Sequence, residues 1–205
     1  MSDSFGSFTK ARLEAFSDGV IAVIITIMVL ELKAPEDAEP QALLKLWPSF
    51  SIYLVSFVFV AIYWINHHNL LSEARRVTSS LIWANTALLF CLSLIPFATA
   101  YVGATHAAAL PTVVYGALQL ACGLAFTLTF ATIAAERADD AEFQRAVAPR
   151  RLQNVVALAV YALATALAAW SPGGALALFV LVAIAYVVPD LLAEAAKRRA
   201  RRKAA

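Results

Sequence analysis

Phe16-Ser17-Asp18 followed by GVIAVIITIMVL at positions 19–30 is the stretch that decides how this chain folds. A run this apolar reads as a helix in lipid or in a deep core, yet it starts directly after a carboxylate, with Arg12, Glu14 and Ser17 close by. A charge at the head of such a helix has to be held by a partner or by the water at a membrane boundary.

The composition chooses lipid. Of 205 residues, 61% are hydrophobic and 15% charged, and the mean hydropathy is +0.74. A soluble domain of this length has too little interior to hide that much apolar surface. In lipid, backbone groups find partners only within their own helix or in a closed barrel. The expected class is therefore all-α: a polytopic membrane protein. Six segments are long enough to span, near 15–32, 48–65, 81–103, 111–135, 152–171 and 174–193. Each has on the order of 18 to 25 residues, matching a hydrocarbon core of about 30 Å at about 1.5 Å per residue. The division reads as an N-terminal tail over 1–14, a six-helix membrane domain over 15–193 and a basic C-terminal tail over 194–205. The N-terminus lacks the small-residue cleavage site of a signal peptide. Pro48, Pro111, Pro149 and Pro172 fall at segment starts or in loops. Pro96 and Pro189 lie inside segments and predict kinks. Cys91 and Cys122 sit in apolar segments with no spaced ligand partners, so they read as small core residues.

Charge sets the orientation. Fourteen of the sixteen Lys and Arg residues fall on one side: Lys10 and Arg12, Arg75 and Arg76, Arg137 to Arg151, and Lys197 to Lys203. The opposite loops keep Lys33 and Lys45 beside Glu36, Asp37 and Glu39. The positive-inside rule then puts both termini in the cytoplasm. The basic tail also suits anionic lipid headgroups. Membrane lipids are the expected partners, with no nucleic acid. The loops are too short for a soluble domain, so function is expected in the membrane part.

On a helical wheel of about 100° per residue, Val23, Thr26, Ile27 and Leu30 share about 100° of arc. Phe16, Val20, Val23, Ile27 and Leu30 follow the spacing of a helix–helix seam. Gly19, Ala22 and Thr26 form a small-residue stripe beside it. Asp18 stands about 140° around from Val23. If Val23 faces a symmetry axis, the carboxylate faces helices of its own subunit and fixes this helix in place. Trp64, His67 and His68 end the second segment at the same boundary, and Asn85 begins the third. A network of Arg12, Ser17, Asp18, Trp64, His67, His68 and Asn85 would satisfy its members; solvation at the interface is the other reading. Adjacent histidines point about 100° apart and make a poor metal pair, so no metal is expected.

Arg12-x-x-x-Phe16-Ser17-Asp18, continuing as Gly19-Val20-x-Ala22 with Thr26, Leu30 and a closing Glu31, resembles the signature of the transmembrane protein 175 family. This is the family of the endosomal and lysosomal potassium channel and its bacterial homologues. Trp64-x-x-His67-His68 and the stretch from Asn85 to Pro96-Phe97 are similar too. The motifs cover the first half of the chain; the second half matches only in hydropathy. The resemblance implies a multi-pass protein of the bacterial inner membrane and a cation channel that prefers potassium. It implies no enzyme and no cofactor beyond the permeant ion. It implies a tetramer with first helices around the axis and rings of apolar side chains as the narrowest points. By register from Asp18 the constriction involves Val23, with Thr26, Ile27 and Leu30 further out. Val23 is smaller than the isoleucine or leucine expected there, which shifts weight to Ile27 and Leu30, while Thr26 offers a ring of hydroxyls. Glu31, with Glu36, Asp37 and Glu39, would concentrate cations at the mouth; a solvated helix end is the other reading of Glu31.

Pro111-Thr112-Val113-Val114-Tyr115-Gly116 looks like a potassium filter, but Val114 replaces its central glycine and no pore helix precedes it. It reads as the start of an ordinary apolar helix. Three other functions compete. A membrane enzyme would need a nucleophile, a base and oxyanion donors to converge, and only the His67-His68 region, with Ser72, offers candidates. A secondary transporter would need ionisable groups at mid-membrane or internal repeats, which the later segments lack. A non-conducting structural membrane protein would need only the apolar periodicity.

Overall fold

The computed structural model describes residues 9–35 and 37–204, with side chains described as far as 188. Residues 1–8, Glu36 and the side chains of the basic tail, Lys197 to Lys203, lie outside that range. Eight helices follow one another: α1 Lys10–Leu30, α2 Pro40–Lys45, α3 Trp47–Ser72, α4 Ser79–Ser93, α5 Ile95–Ala104, α6 Ala109–Glu136, α7 Ala141–Leu167 and α8 Pro172–Ala204. Among the described residues four stretches are long and apolar enough to cross a membrane: α1, α3, α4 with α5 taken as one, and α6. Pro172–Val188 of α8 adds a shorter apolar helix.

Several boundaries move from the sequence reading. α1 starts at Lys10, because Thr9 caps it by accepting a hydrogen bond from the Arg12 amide at 3.3 Å. The third segment breaks at Leu94, with Pro96 in the first turn of α5, where its missing N–H costs nothing. Pro149 is not in a loop: it lies inside α7, whose start is Ala141 and not 152. Asp140 caps that start, accepting from the Phe143 amide at 2.9 Å. The charged first half of α7 is helical because Phe143 and Val147 bury against Leu71, Phe130 and Ile133. α8 runs unbroken through Pro189 to Ala204, so 194–204 continues the last helix. The filter-like stretch opens α6, and its Tyr115 is buried.

α6 is the central post, packed against α4 on one side and α7 on the other. It comes close to α7 at Gly116, where an added Cβ would stand 2.6 Å from Thr165 Oγ1 and 3.1 Å from Thr165 Cα. Three apolar clusters run along the bundle. Ile21, Ile24 and Met28 of α1 join Val60, Leu88, Leu92 and Cys122 in the first. Phe59, Tyr115, Tyr161 and Phe179 anchor the second. Leu13, Leu71, Leu81, Phe130 and Ile133 anchor the third. Buried hydroxyls stitch three helices within the bundle. Thr99 donates to Ser56 at 2.8 Å, Ser56 and Tyr115 share a bond of 3.0 Å, and the Gln119 amide reaches Tyr115 at 3.3 Å. Such bonds hold helices where apolar contact alone gives little drive to associate.

At one end of the bundle an ion-pair hub joins α3 to the α6–α7 turn. Arg137 donates to Glu73 and to Asp140, both at 2.7 Å, and its guanidinium lies 3.8 Å from the centre of the Phe143 ring. Arg75 reaches the same Asp140 at 2.9 Å. The Phe143 amide, then Arg137, hold the Asp140 carboxyl below its ordinary value. Asp140, in turn, raises that of Arg137.

Candidate functional site

α1 has two unlike faces. Leu13, Ser17, Ile21, Ile24 and Met28 are buried against the bundle. Phe16, Val23, Ile27 and Leu30 are open, at 57%, 54%, 42% and 75% exposure. Thr26 is exposed among them. Its hydroxyl donates to the Val23 carbonyl at 2.9 Å, so the hydrogen is committed to the helix's own backbone.

Two hydrogen-bonded contacts hold polar residues at the head of the helix. The first is fully buried. His67 Nε2 lies 2.6 Å from Asn85 Oδ1, the Asn85 amide nitrogen donates to Ser17 Oγ at 2.9 Å, and Ser17 donates to the Leu13 carbonyl at 2.8 Å. Because the Asn85 nitrogen is the donor to Ser17, its oxygen must accept, and His67 carries its proton on Nε2. His67 Nδ1 has no hydrogen-bond partner among the described residues. The chain ties α3, α4 and α1 together through side chains that are at most 1% exposed. The second contact is nearer the surface: Trp64 donates its indole N–H to Asp18 Oδ1 at 2.9 Å. Both contacts leave from α3, one turn apart, and both land on consecutive residues of α1. Arg12 and His68 lie on the exposed side and Phe16 on the open face. Among the described residues no three His, Cys, Asp or Glu side chains converge.

The open face of α1 forms one wall of a groove of about 790 Å³. Val20, Val23, Ile27 and Glu31 line that wall; Pro96, Phe97 and Ala100 line the other. The groove is overwhelmingly apolar, with Glu31 as its acid at the far end. Sequence reasoning missed the α4–α5 wall. The break beside Pro96 was legible, but nothing in the sequence placed that break opposite α1.

The architecture and the motifs find relatives. Residues 12–96 match the family described as endosomal/lysosomal potassium channel TMEM175. A protein of Chryseobacterium sp. (strain P1-3) named as a potassium channel is 40% identical over 182 residues, covering 89% of this chain and 94% of that protein. The crystal structure of a lysosomal potassium-selective channel TMEM175 homolog from Chamaesiphon minutus superposes with a TM-score of 0.79 at 29% identity, over 88% of this chain and 97% of that one. The human endosomal/lysosomal proton channel TMEM175 is 32% identical over 102 residues, which is 44% of this chain and 20% of the human protein. The family is one of ion channels and not of enzymes. The chain is a multi-pass membrane protein and belongs to the TMEM175 potassium channel family.

Proposed function

We propose that the chain is a potassium-preferring cation channel, assembled as a homotetramer with α1 of each copy around a central axis. Ions pass down their gradient between the four copies of α1. Rings of Val23, Ile27 and Leu30, with the Thr26 hydroxyls between them, form the constriction, and Glu31 draws cations to the mouth. Each copy spans the bilayer six times with both termini in the cytoplasm, and membrane lipids surround it.

The observation that carries this reading is the split of α1 into an anchored face and an open one. A helix held from behind by Trp64 and Asn85 keeps Val23, Ile27 and Leu30 in register when four copies meet. A narrow apolar ring empties of water and so gates the path, and potassium gives up its hydration shell at lower cost than sodium. The placement of Asp18 on Trp64 supports an anchoring role for the carboxylate and not a place in the path. Arg12, His68 and Phe16 complete the head of this helix.

In liposomes the purified protein dissipates a potassium gradient with no proton or sodium coupling. Val23→Asn or Leu30→Asn keeps the ring wet and changes conductance or selectivity. A mass measurement of the detergent-solubilised complex gives the number of copies. A monomer, or Asn variants that conduct like the parent, would sink this reading.

A further inference from the structure

The end of the bundle opposite Asp18 carries an unusual elbow. Helix α2 has six residues and runs straight into α3. Leu43, Leu44 and Trp47 on this elbow are 65%, 73% and 67% exposed, and Phe50 follows on the next turn of α3, also exposed. A short element with that much apolar surface and a tryptophan belongs in the membrane interface, where aromatic rings sit at headgroup depth.

Behind the elbow lies a chamber of about 230 Å³ between the end of α1, the start of α3 and the end of α5. Glu31, Lys33, Ser49 and Tyr53 supply polar groups to its wall, and Met28 and Leu46 are among its apolar residues. Glu31 and Lys33 carry opposite charges, yet neither makes an ion pair with another described residue. The Ser49 hydroxyl gives its hydrogen to the Gly103 carbonyl at 3.3 Å, which leaves its lone pairs to accept.

We propose that this chamber binds the headgroup of a zwitterionic phospholipid that carries a primary ammonium. The phosphate lies against Lys33 with the Tyr53 hydroxyl as a second donor. The ammonium donates to Glu31 and to Ser49. The acyl chains leave over Leu44, Trp47 and Phe50. Two opposite charges left apart on one rim match a ligand that brings both. A purely anionic headgroup would leave Glu31 facing like charge, and a quaternary ammonium has no N–H for Glu31 or Ser49. The chamber is smaller than the range of about 300–1,000 Å³ usual for drug-sized ligands, which suits a headgroup.

The test uses the full chain in detergent supplemented with equal amounts of phosphatidylethanolamine, phosphatidylglycerol and phosphatidylcholine, with retained lipid counted by native mass spectrometry. The site shares Glu31 with the pore mouth proposed above, and because the test counts retained lipid and not ion flux, failure of this site and failure of the channel reading are told apart. Phosphatidylethanolamine is expected to be retained about threefold or more over either other lipid, a modest difference in affinity. Glu31→Gln brings its retention down to that of phosphatidylglycerol; Lys33→Gln lowers the retention of both. Both positions are exposed, so neither change threatens the fold. Equal retention of the three lipids, or a preference that survives Glu31→Gln, overturns the site. Soluble O-phosphoethanolamine at the same concentration is expected to leave the lipid in place; displacement by it overturns a lipid as the occupant.

Discussion

Trp64 and Asp18 meet through a single hydrogen bond of 2.9 Å that joins the third helix of the chain to the first. The indole is a donor only and the ionised carboxylate an acceptor only, so the pair has one way to form. Trp64→Phe keeps an aromatic ring, smaller than the indole, and removes the donor. A hydrogen bond to a charged group contributes about 1.5–3 kcal/mol in general, and its exposure here brings the expected loss to about 1 kcal/mol. Thermal unfolding of the detergent-solubilised protein reads this loss. Asp18→Asn, which keeps an acceptor, is expected to lose less than Trp64→Phe.

Asn85 is a sharper case, because it bridges two buried partners. Asn85→Leu leaves the His67 N–H without an acceptor and Ser17 Oγ without a donor. Each unsatisfied buried group costs about 1–3 kcal/mol, so the variant is expected to lose about 2–6 kcal/mol and to assemble poorly. Paired substitutions at His67 and Asn85 are expected to be clearly non-additive in a double-mutant cycle. Additive losses would mean that the two side chains do not share a bond.

Acid acts at the other polar cluster. Asp140 is held below its ordinary value by the Phe143 amide and then by Arg137. A depressed carboxylate contributes stability above its unfolded value, about 3.9, and loses it as pH falls through the lower folded value. Thermal stability is therefore expected to decline between pH 5 and the acid limit, flattening in the variant Asp140→Asn. Arg137 is raised and stays charged throughout, so it adds no slope in this window. Equal slopes for the parent and Asp140→Asn would remove Asp140 as the source.

Gly116 tests how tightly α6 and α7 meet. Gly116→Ala puts a methyl group 2.6 Å from Thr165 Oγ1. Removing that hydroxyl with Thr165→Ala relieves only part of the clash, since Thr165 Cα remains 3.1 Å away. Overpacking of this kind costs about 1–3 kcal/mol. The double variant is expected to recover less than half of what Gly116→Ala loses in thermal unfolding.

Much of the fold was legible because lipid simplifies the code. Apolar length alone marks α1, α3, the α4–α5 pair and α6. The wheel of α1 separated Val23 and Leu30 from Asp18 before any packing was known, since side-chain direction on a helix follows from position. What stayed hidden depends on partners distant in sequence. The first half of α7 carries Glu142, Arg145, Arg150 and Arg151 and reads as a loop until Phe143 and Val147 are seen against Phe130 and Ile133. Arg12 and His68 share the boundary with Asp18 in sequence, yet only Ser17, His67 and Asn85 join in the buried chain. Residue type places a group at a depth, whereas rotation about the helix decides whom it meets.

The Thr26 hydroxyl has one further consequence. Its proton is spent on the Val23 carbonyl. A visitor arriving from the uncovered side therefore finds a Lewis base, an oxygen offering electron pairs and withholding any donor. Under the channel reading proposed above, that polarity favours a cation over a chloride before any carboxylate is counted.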